Sequence, residues 1–510
     1  MVGGMKEWSR SELPHPASKG LDRMEPAEMV ELFHACDLEA LDALFAPIFL
    51  QKLSALGKRL QKHPPSRLVL AGAGTSGRLA YLLADRHRAA LARRGIRLLP
   101  WIAGGAKALC LPVEGAEDDS LRAKRDLAER LGEEGFFVGI SCGLSAPAVA
   151  GGMAAALERG LGIAVFGTNE ERLARKDSFP GLPQGFHGVL EEARERGDFF
   201  ALTPDTGPEV LTGSSRMKGG TATLVCFDAL FSSLAEGALE PESLEEKLRE
   251  GRRLVVESFG SLREELVRSL DLAGRALRGG GQVLYLGRGE PGLAGVLDAS
   301  ECPPTFGAEF DQVRAYLTEG WGAFGSLDAS ERIALEASLP LQPREMALRD
   351  PSKPLLVLAL GGAELPPTLS ERLGGEMQDL VEVDTGGLLC SKLFLNALST
   401  GAFVQAGKVY QNRMIDLQLS NSKLFLRAQR IVVDLLGVPD SEALRAIVGA
   451  IHGIYPPPVN LLRLPVEAHL KVPARRVVPT AVLLAKGYSL PEARRRLEQE
   501  PRIRDLVDAP

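Results

Sequence analysis

Apolar and polar positions change rhythm along the chain. From residue 67, the runs RLVLAGAG, IRLLPWIA, EGFFVGIS, GIAVFGT and DFFALTP are short, rich in branched or aromatic residues, and closed by turn residues. That pattern predicts strands. Amphipathic stretches such as DSLRAKRDLAERLGEE and APAVAGGMAAALERG lie between them and predict helices. Such alternation predicts a parallel sheet covered by helices on both faces. This first unit closes near residue 240, after the helical run GTATLVCFDALFSSLAEGAL.

The charged helical stretch ESLEEKLREGRRLVVESFGSLREELVRSLDLAG leads into a second unit. Its first strand, GQVLYLGRG, ends in a glycine turn, as the first unit's does. Setting Gly72-Ala73-Gly74 against Gly287-Arg288-Gly289 gives an offset of 287 − 72 = 215, which Gly77 and Gly292 keep. A repeat of domain size marks a duplicated, fused α/β unit. PLLVLALGG and LVEVDT predict later strands of the second sheet. After about residue 410 the strand runs stop, and SNSKLFLRAQRIVVDLL, SEALRAIVGAI, PTAVLLAKG and SLPEARRRLEQE predict helices. The last opens with a capping box, Ser489 to Glu492, with Pro491 in the first turn. The expected class is α/β: two doubly wound parallel-sheet units plus a small all-helical C-terminal domain. The expected divisions are an N-terminal extension (1–40), a first unit (41–240), a second unit (241–408) and a helical cap (409–510).

Composition narrows the function classes. The 510 residues are 45% hydrophobic and 25% charged, ordinary for a soluble globular protein. With a net charge of −6 and dispersed lysines and arginines, neither nucleic acid nor an anionic membrane is an expected partner. Any bound anion must be held by local geometry. No apolar run reaches bilayer length, and the N-terminal MVGGMKEWSRSELPHPASKG lacks a secretory core and is expected to be loose. The six cysteines show no CxxC pairing, and several sit in apolar segments. They read as reduced, buried thiols of a cytoplasmic protein. Seven scattered histidines offer no ligand spacing, so no metal site is expected.

Three loops carry the candidate chemistry. Gly72-Ala73-Gly74-Thr75-Ser76-Gly77 follows a strand and opens a helix, where glycines admit close backbone approach and free N–H groups face an anion. A dinucleotide reading of this glycine pattern requires an acidic residue after the second strand, and IRLLPWIAGG has none. Thr75 and Ser76 suit a terminal phosphate better. Ser141-Cys142-Gly143-Leu144-Ser145 also follows a strand and precedes a helix, and Thr212-Gly213-Ser214-Ser215-Arg216-Met217-Lys218 precedes the unit's last helix. Each alone reads as a helix cap, but three together point to phosphate. In the second half, Glu290-Pro291 replaces Thr75-Ser76, with a carboxylate that repels phosphate and a proline that lacks a donor. The second half instead carries Glu301, whose first-half counterpart is Arg86. One half keeps the phosphate loop and the other a glutamate, which predicts a single site built across the two halves.

GAGTSGRL, IAGG, VEGAEDD, GPEVLTGSSRMKGGTAT, DASECPPTFG and LSTGAFVQAGKVYQNRMIDLQLSNSKL resemble signatures of the N-acetylmuramic acid 6-phosphate etherases. GISCGLSAPAVAGGM, GAEFDQVRAYL and LSNSKLFLRA are closer to the related glucokinase regulatory proteins, which are fused chains of two sugar-isomerase (SIS) domains with a helical cap. The resemblance runs from about residue 25 to near the end. For an etherase it implies Glu117 as the base at C2 of the opened sugar and Glu301 as the acid assisting departure of lactate from C3, without metal or organic cofactor. It also implies that Ser76, Ser141 and Ser145 hold the phosphate and that Lys408 reaches the ligand from the cap. Read from the residues alone, Glu117 is a first-turn helix acid, Glu301 a helix-end carboxylate and Lys408 a solvated lysine. The etherase is the leading expectation, since DASECPPTFG is retained whole. The alternative is a sensor that binds fructose phosphates and inhibits a sugar kinase. A phosphosugar isomerase is weaker, because no further histidine or glutamate is placed for its proton shuttle. A pseudo-dimer within one chain is expected in each case.

Overall fold

The computed structural model describes residues 9–113, 115–346, 350, 352–367, 378–500 and 502–508. Two helices, α1 (Pro26–Asp42) and α2 (Pro47–Lys62), precede the first sheet. In α2, Phe49, Leu50, Leu53, Leu56 and Leu60 recur at helical spacing and are buried as one stripe.

The first sheet comprises β1 (Arg67–Gly72), β2 (Arg97–Ile102), β3 (Gly135–Ile140), β4 (Gly162–Phe166) and β5 (Phe199–Leu202). All neighbours pair in parallel, in the order β2-β1-β3-β4-β5. β3 is buried at every position, as a strand covered on both faces must be. The covering helices are α3 (Thr75–Ala92), α4 (Ser120–Leu131), α5 (Pro147–Glu158), α6 (Gly185–Arg196) and α7 (Lys218–Glu236). The charged stretch after residue 240 forms one 38-residue helix, α8 (Pro241–Arg278).

The second sheet repeats the winding. β6 (Gln282–Gly287), β7 (Val313–Leu317), β8 (Leu355–Leu360) and β9 (Gln378–Val383) lie parallel in the order β7-β6-β8-β9. Its helices include α9 (Gly289–Phe306), α10 (Ala329–Ser338) and α11 (Leu388–Gln405). β7 escaped the apolar-run reading because Arg314 interrupts its five residues. Both units are doubly wound parallel-sheet SIS-type domains.

The C-terminal region opens with a two-stranded hairpin, β10 (Val409–Tyr410) and β11 (Arg413–Met414), where helix alone was expected. Helices α12 (Ser422–Leu436), α13 (Asp440–His452), α14 (Val459–Leu462), α15 (Val466–Leu470), α16 (Val477–Ala485), α17 (Leu490–Gln499) and α18 (Ile503–Val507) follow. One apolar cluster runs from α1 and α2 through both sheets into these helices.

The N-terminal segment departs from expectation. Residues 1–8 lie outside the described residues, but 9–20 are docked, not loose. Ser11 O accepts Gly213 N–H at 2.8 Å, and Asn412 Nδ2 donates to His15 O at 3.1 Å and Ser18 Oγ at 2.8 Å. Buried backbone polar groups thus hold a segment with few apolar residues. Among the described residues, no single helix is long and apolar enough to cross a membrane.

In an open α/β sheet, ligands bind beyond the carboxyl ends of the strands where the winding reverses. Here that point lies between β1 and β3, whose last residues, Gly72 and Ile140, are register partners.

Candidate functional site

Two of the three predicted loops leave the sheet at that reversal. Gly72 is sterically required, since a Cβ there would meet the Ser76 carbonyl carbon at 2.6 Å and the Gly77 nitrogen at 2.7 Å. Gly74, at φ +53°, turns the chain into α3. After β3, Ser141 Oγ accepts N–H bonds from Ser145 (3.1 Å) and Ala146 (3.3 Å). Its lone pairs are thereby engaged and its O–H proton is left to donate to a ligand.

The third loop is fastened from both ends. Glu209 accepts the N–H groups of Lys218 (3.0 Å) and Gly219 (2.9 Å) at the start of α7. Burial pushes its carboxyl up to about 7, against the pull of those N–H groups and Lys218. Arg216, fully buried, donates to Asp298 (3.2 Å), Ser399 (3.1 Å) and Thr400 (2.6 Å), all in the second unit. Burial lifts the Asp298 carboxyl to about 6, with Arg216 opposing.

These loops, α9 and α12 enclose a cavity of about 180 Å³. Gly74, Thr75, Ser76, Ser141, Ser145, Ser214 and Ser215 all line it. So do Glu117 from the first unit and Glu301 from the second. Glu117 lies in the turn before α4, whose N-cap is Asp119, and is not a first-turn helix acid. Its backbone carbonyl accepts Ala148 N–H at 2.9 Å, and its carboxylate accepts Asn421 Nδ2–H at 3.1 Å. Burial raises its pKa, Lys423 opposes the rise and Asp118 adds to it. Asp118 accepts both Ser422 N–H (2.8 Å) and Ser422 Oγ–H (3.1 Å), so the start of α12 is fastened to this turn. Glu301 lies inside α9, which continues through Pro303 and Pro304 instead of turning there. Arg78 Nη1 donates to it, while Arg78 Nε is held by Leu109 O at 3.1 Å.

Lys408 is not brought to this cavity. It precedes β10 and pairs with Asp416. Lys423 of α12 lines the cavity instead, with no ion pair or hydrogen bond among the described residues. Three further basic residues reach the cavity wall: Arg78, Arg216 and Arg427. Arg427 is paired with Glu12 of the N-terminal segment. Burial alone would raise Glu12, but Arg427, Lys423 and Arg430 outweigh it and bring it down to about 2. The net result is a composite pocket lined by hydroxyl groups, the Lys423 ammonium and two carboxylates contributed by different units.

Against known proteins, a family model for the glucokinase regulatory protein N-terminal SIS domain matches residues 50–157. One for the C-terminal lid domain of glucokinase regulatory protein matches residues 411–507. The glucokinase regulatory protein of Xenopus laevis is 27% identical over 98% of this chain and 92% of its own length; that of Homo sapiens is 28% identical over 98% and 91%. The N-acetylmuramic acid 6-phosphate etherase of Serratia proteamaculans is 32% identical over 48% of this chain and 85% of its own length. The chain belongs to the glucokinase regulatory protein/N-acetylmuramic acid 6-phosphate etherase family. Among solved structures, the tagatose-6-phosphate ketose/aldose isomerase of Escherichia coli aligns with a TM-score of 0.44 at 13% identity, covering 77% of this chain and 95% of that one.

Arg78, Arg216, Asn421, Lys423 and Arg427 were missed as site residues, although all five sit inside the quoted motifs GAGTSGRL, GPEVLTGSSRMKGGTAT and LSNSKLFLRA that carry the family resemblance. His15, Cys36 and Glu39 converge. His15 Nδ1 accepts Ala17 N–H, so its Nε2 carries the proton and lies 3.0 Å from Glu39 as a donor. Lys218 Nζ also lies 3.0 Å from Glu39, so within this group the carboxylate is held by a hydrogen bond and an ammonium.

Proposed function

We propose that this chain binds a phosphorylated sugar in the composite pocket and acts as a sugar-phosphate-responsive regulator of a sugar kinase. The observation that carries the reading is the lid. The regulators match the chain over 98% of its length, lid included, whereas the etherases match about half of it. In this structure the lid completes the pocket, through Asn421 on Glu117, Ser422 on Asp118 and the unpaired Lys423. The hydroxyls of Ser76, Ser141 and Ser145, with Lys423, supply donors and charge for the phosphate, and Glu117 and Glu301 accept sugar hydroxyls. Ligand occupancy would thereby tighten the lid on the first unit, which is how a binding event alters a surface presented to a kinase. The two units act as a pseudo-dimer with one site, and the six buried, free thiols fit a cytoplasmic setting.

A second reading, the etherase, is favoured by one observation: Glu117 and Glu301 line one pocket from opposite units. A raised Glu117 pKa makes it a stronger base for a carbon acid. Glu301, however, already accepts a charge-assisted bond from Arg78, so service as an acid requires breaking that pair. The deciding assay sets glucokinase-type kinase activity, with and without fructose 6-phosphate, beside lactate release from N-acetylmuramic acid 6-phosphate. Sugar-phosphate-dependent inhibition without lactate supports the regulator. Lactate release abolished by Glu117→Gln replaces it with the etherase.

A further inference from the structure

Beyond the phosphate pocket, and resting on that reading of it, we propose that a contiguous outer compartment binds a second anionic group, carboxylate or phosphate. The compartment measures about 410 Å³, against 180 Å³ for the inner cavity. The two share Gly143, Ser145, Lys423 and Arg427 as a common wall. In a chain of net charge −6, the outer wall carries Arg172, Arg175, Lys176, Lys423 and Arg427 with the acids Glu12 and Asp177, and Arg172 is paired with Glu170 at 2.7 Å.

Glu12 is committed to Arg427 by two hydrogen bonds. Asp177 forms an ion pair with Arg175, 3.4 Å from its Nε, and that Nε makes no hydrogen bond. Lys176 and Lys423 have no ion pair among the described residues. Arg175 is also pre-positioned. Its guanidinium lies 4.7 Å over the Phe179 ring, its N–H donates to Leu144 O at 3.0 Å, and its carbonyl accepts His187 N–H at 3.0 Å. Leu144, at φ +46° between Ser141 and Ser145, therefore ties the outer arginine to the inner cradle. A rigid guanidinium with open donors beside an unpaired lysine suits an oxyanion.

The anion can be a second group on the same sugar or a separate small molecule, and one experiment separates these sources. Calorimetry would compare fructose 6-phosphate, fructose 1,6-bisphosphate, and citrate added to protein saturated with fructose 6-phosphate. The proteins are the wild type and the Arg175→Gln/Lys176→Gln variant, with thermal melts checking the fold. The bisphosphate should bind about tenfold tighter than the monophosphate, and the variant should lose most of that gain while keeping its monophosphate affinity. Citrate binding to the saturated wild type, lost in the variant, assigns the compartment to a separate anion. Equal mono- and bisphosphate affinity with no citrate binding overturns the inference and leaves the phosphate pocket standing. No binding of fructose 6-phosphate at all overturns both.

Discussion

Arg78 and Glu301 show how the pocket depends on single side chains. Both are almost wholly buried, their side chains 5% and 10% exposed, and they come from different units. Removing one partner of such a pair leaves a desolvated charge, which costs ~3–5 kcal/mol, whereas replacing both with neutral groups of similar volume costs far less. Arg78→Met should therefore lower stability by about that amount, and adding Glu301→Gln should restore most of it. Denaturant melts of both variants test this, and equal losses in the two would show that the pair is not what the arginine contributes. The same residues mark what sequence reading could reach. The loop serines were legible because glycine-rich turns at helix starts have a local signature. The Arg78–Glu301 contact was not, since residues 223 apart meet only through the packing of α3 against α9. Lys408 was named because the family resemblance implied it; it precedes β10 and pairs with Asp416, while Lys423 of α12 lines the cavity.

At the scale of elements, α12 is the piece that connects lid to pocket, and its far face rests on an unusual support. Phe425 stacks on His469 of α15 at 5.6 Å, and His469 Nδ1 lies 2.9 Å from Nε2 of His452, the last residue of α13. Such a bond needs one ring nitrogen to donate and the other to accept, so it fails once both rings are protonated. Burial and the neighbouring His452 both lower the pKa of His469 from 6.5. A lowered folded-state pKa means the neutral ring is favoured in the fold. Its contribution is complete above about 6.5 and is lost as the pH falls through the lower folded-state value. Thermal melts between pH 8 and pH 5 should show the lid losing stability toward acid, and a His452→Gln/His469→Gln variant should flatten that dependence. An unchanged slope in the variant would remove the histidine pair from the account. The strand-helix rhythm foretold both sheets and the helical lid, because each element's own periodicity encodes it. The docking of residues 9–20 was not foretold, because polar backbone contacts leave no periodic trace.

The whole molecule pairs two similar windings whose first turns differ in chemistry. In the first unit the turn after β1 offers Thr75 and Ser76 to a cavity. The matching turn after β6 offers Glu290, whose carboxylate accepts Leu388 N–H at 3.1 Å at the start of α11 and both oxygens of which accept from Arg86 at 3.1 and 3.2 Å. Arg86 stands at the repeat position of Glu301, so the position that in one unit lines the pocket in the other forms a partly exposed ion pair with Glu290. A carboxylate held by a helix N-terminus and a guanidinium occupies the place an external anion needs. The chain should accordingly bind one sugar phosphate per molecule, and Ser76→Ala/Ser141→Ala should abolish binding instead of halving it. Titration calorimetry gives both numbers directly. A stoichiometry of two, or a half-stoichiometric remainder in the double variant, would mean that Glu290 yields its place to ligand and that the second winding still binds. A stoichiometry of one, lost entirely in the double variant, would mean that duplication here produced a wall for one site, with the lid and the Arg216–Asp298 pair fixing how the two halves meet around it.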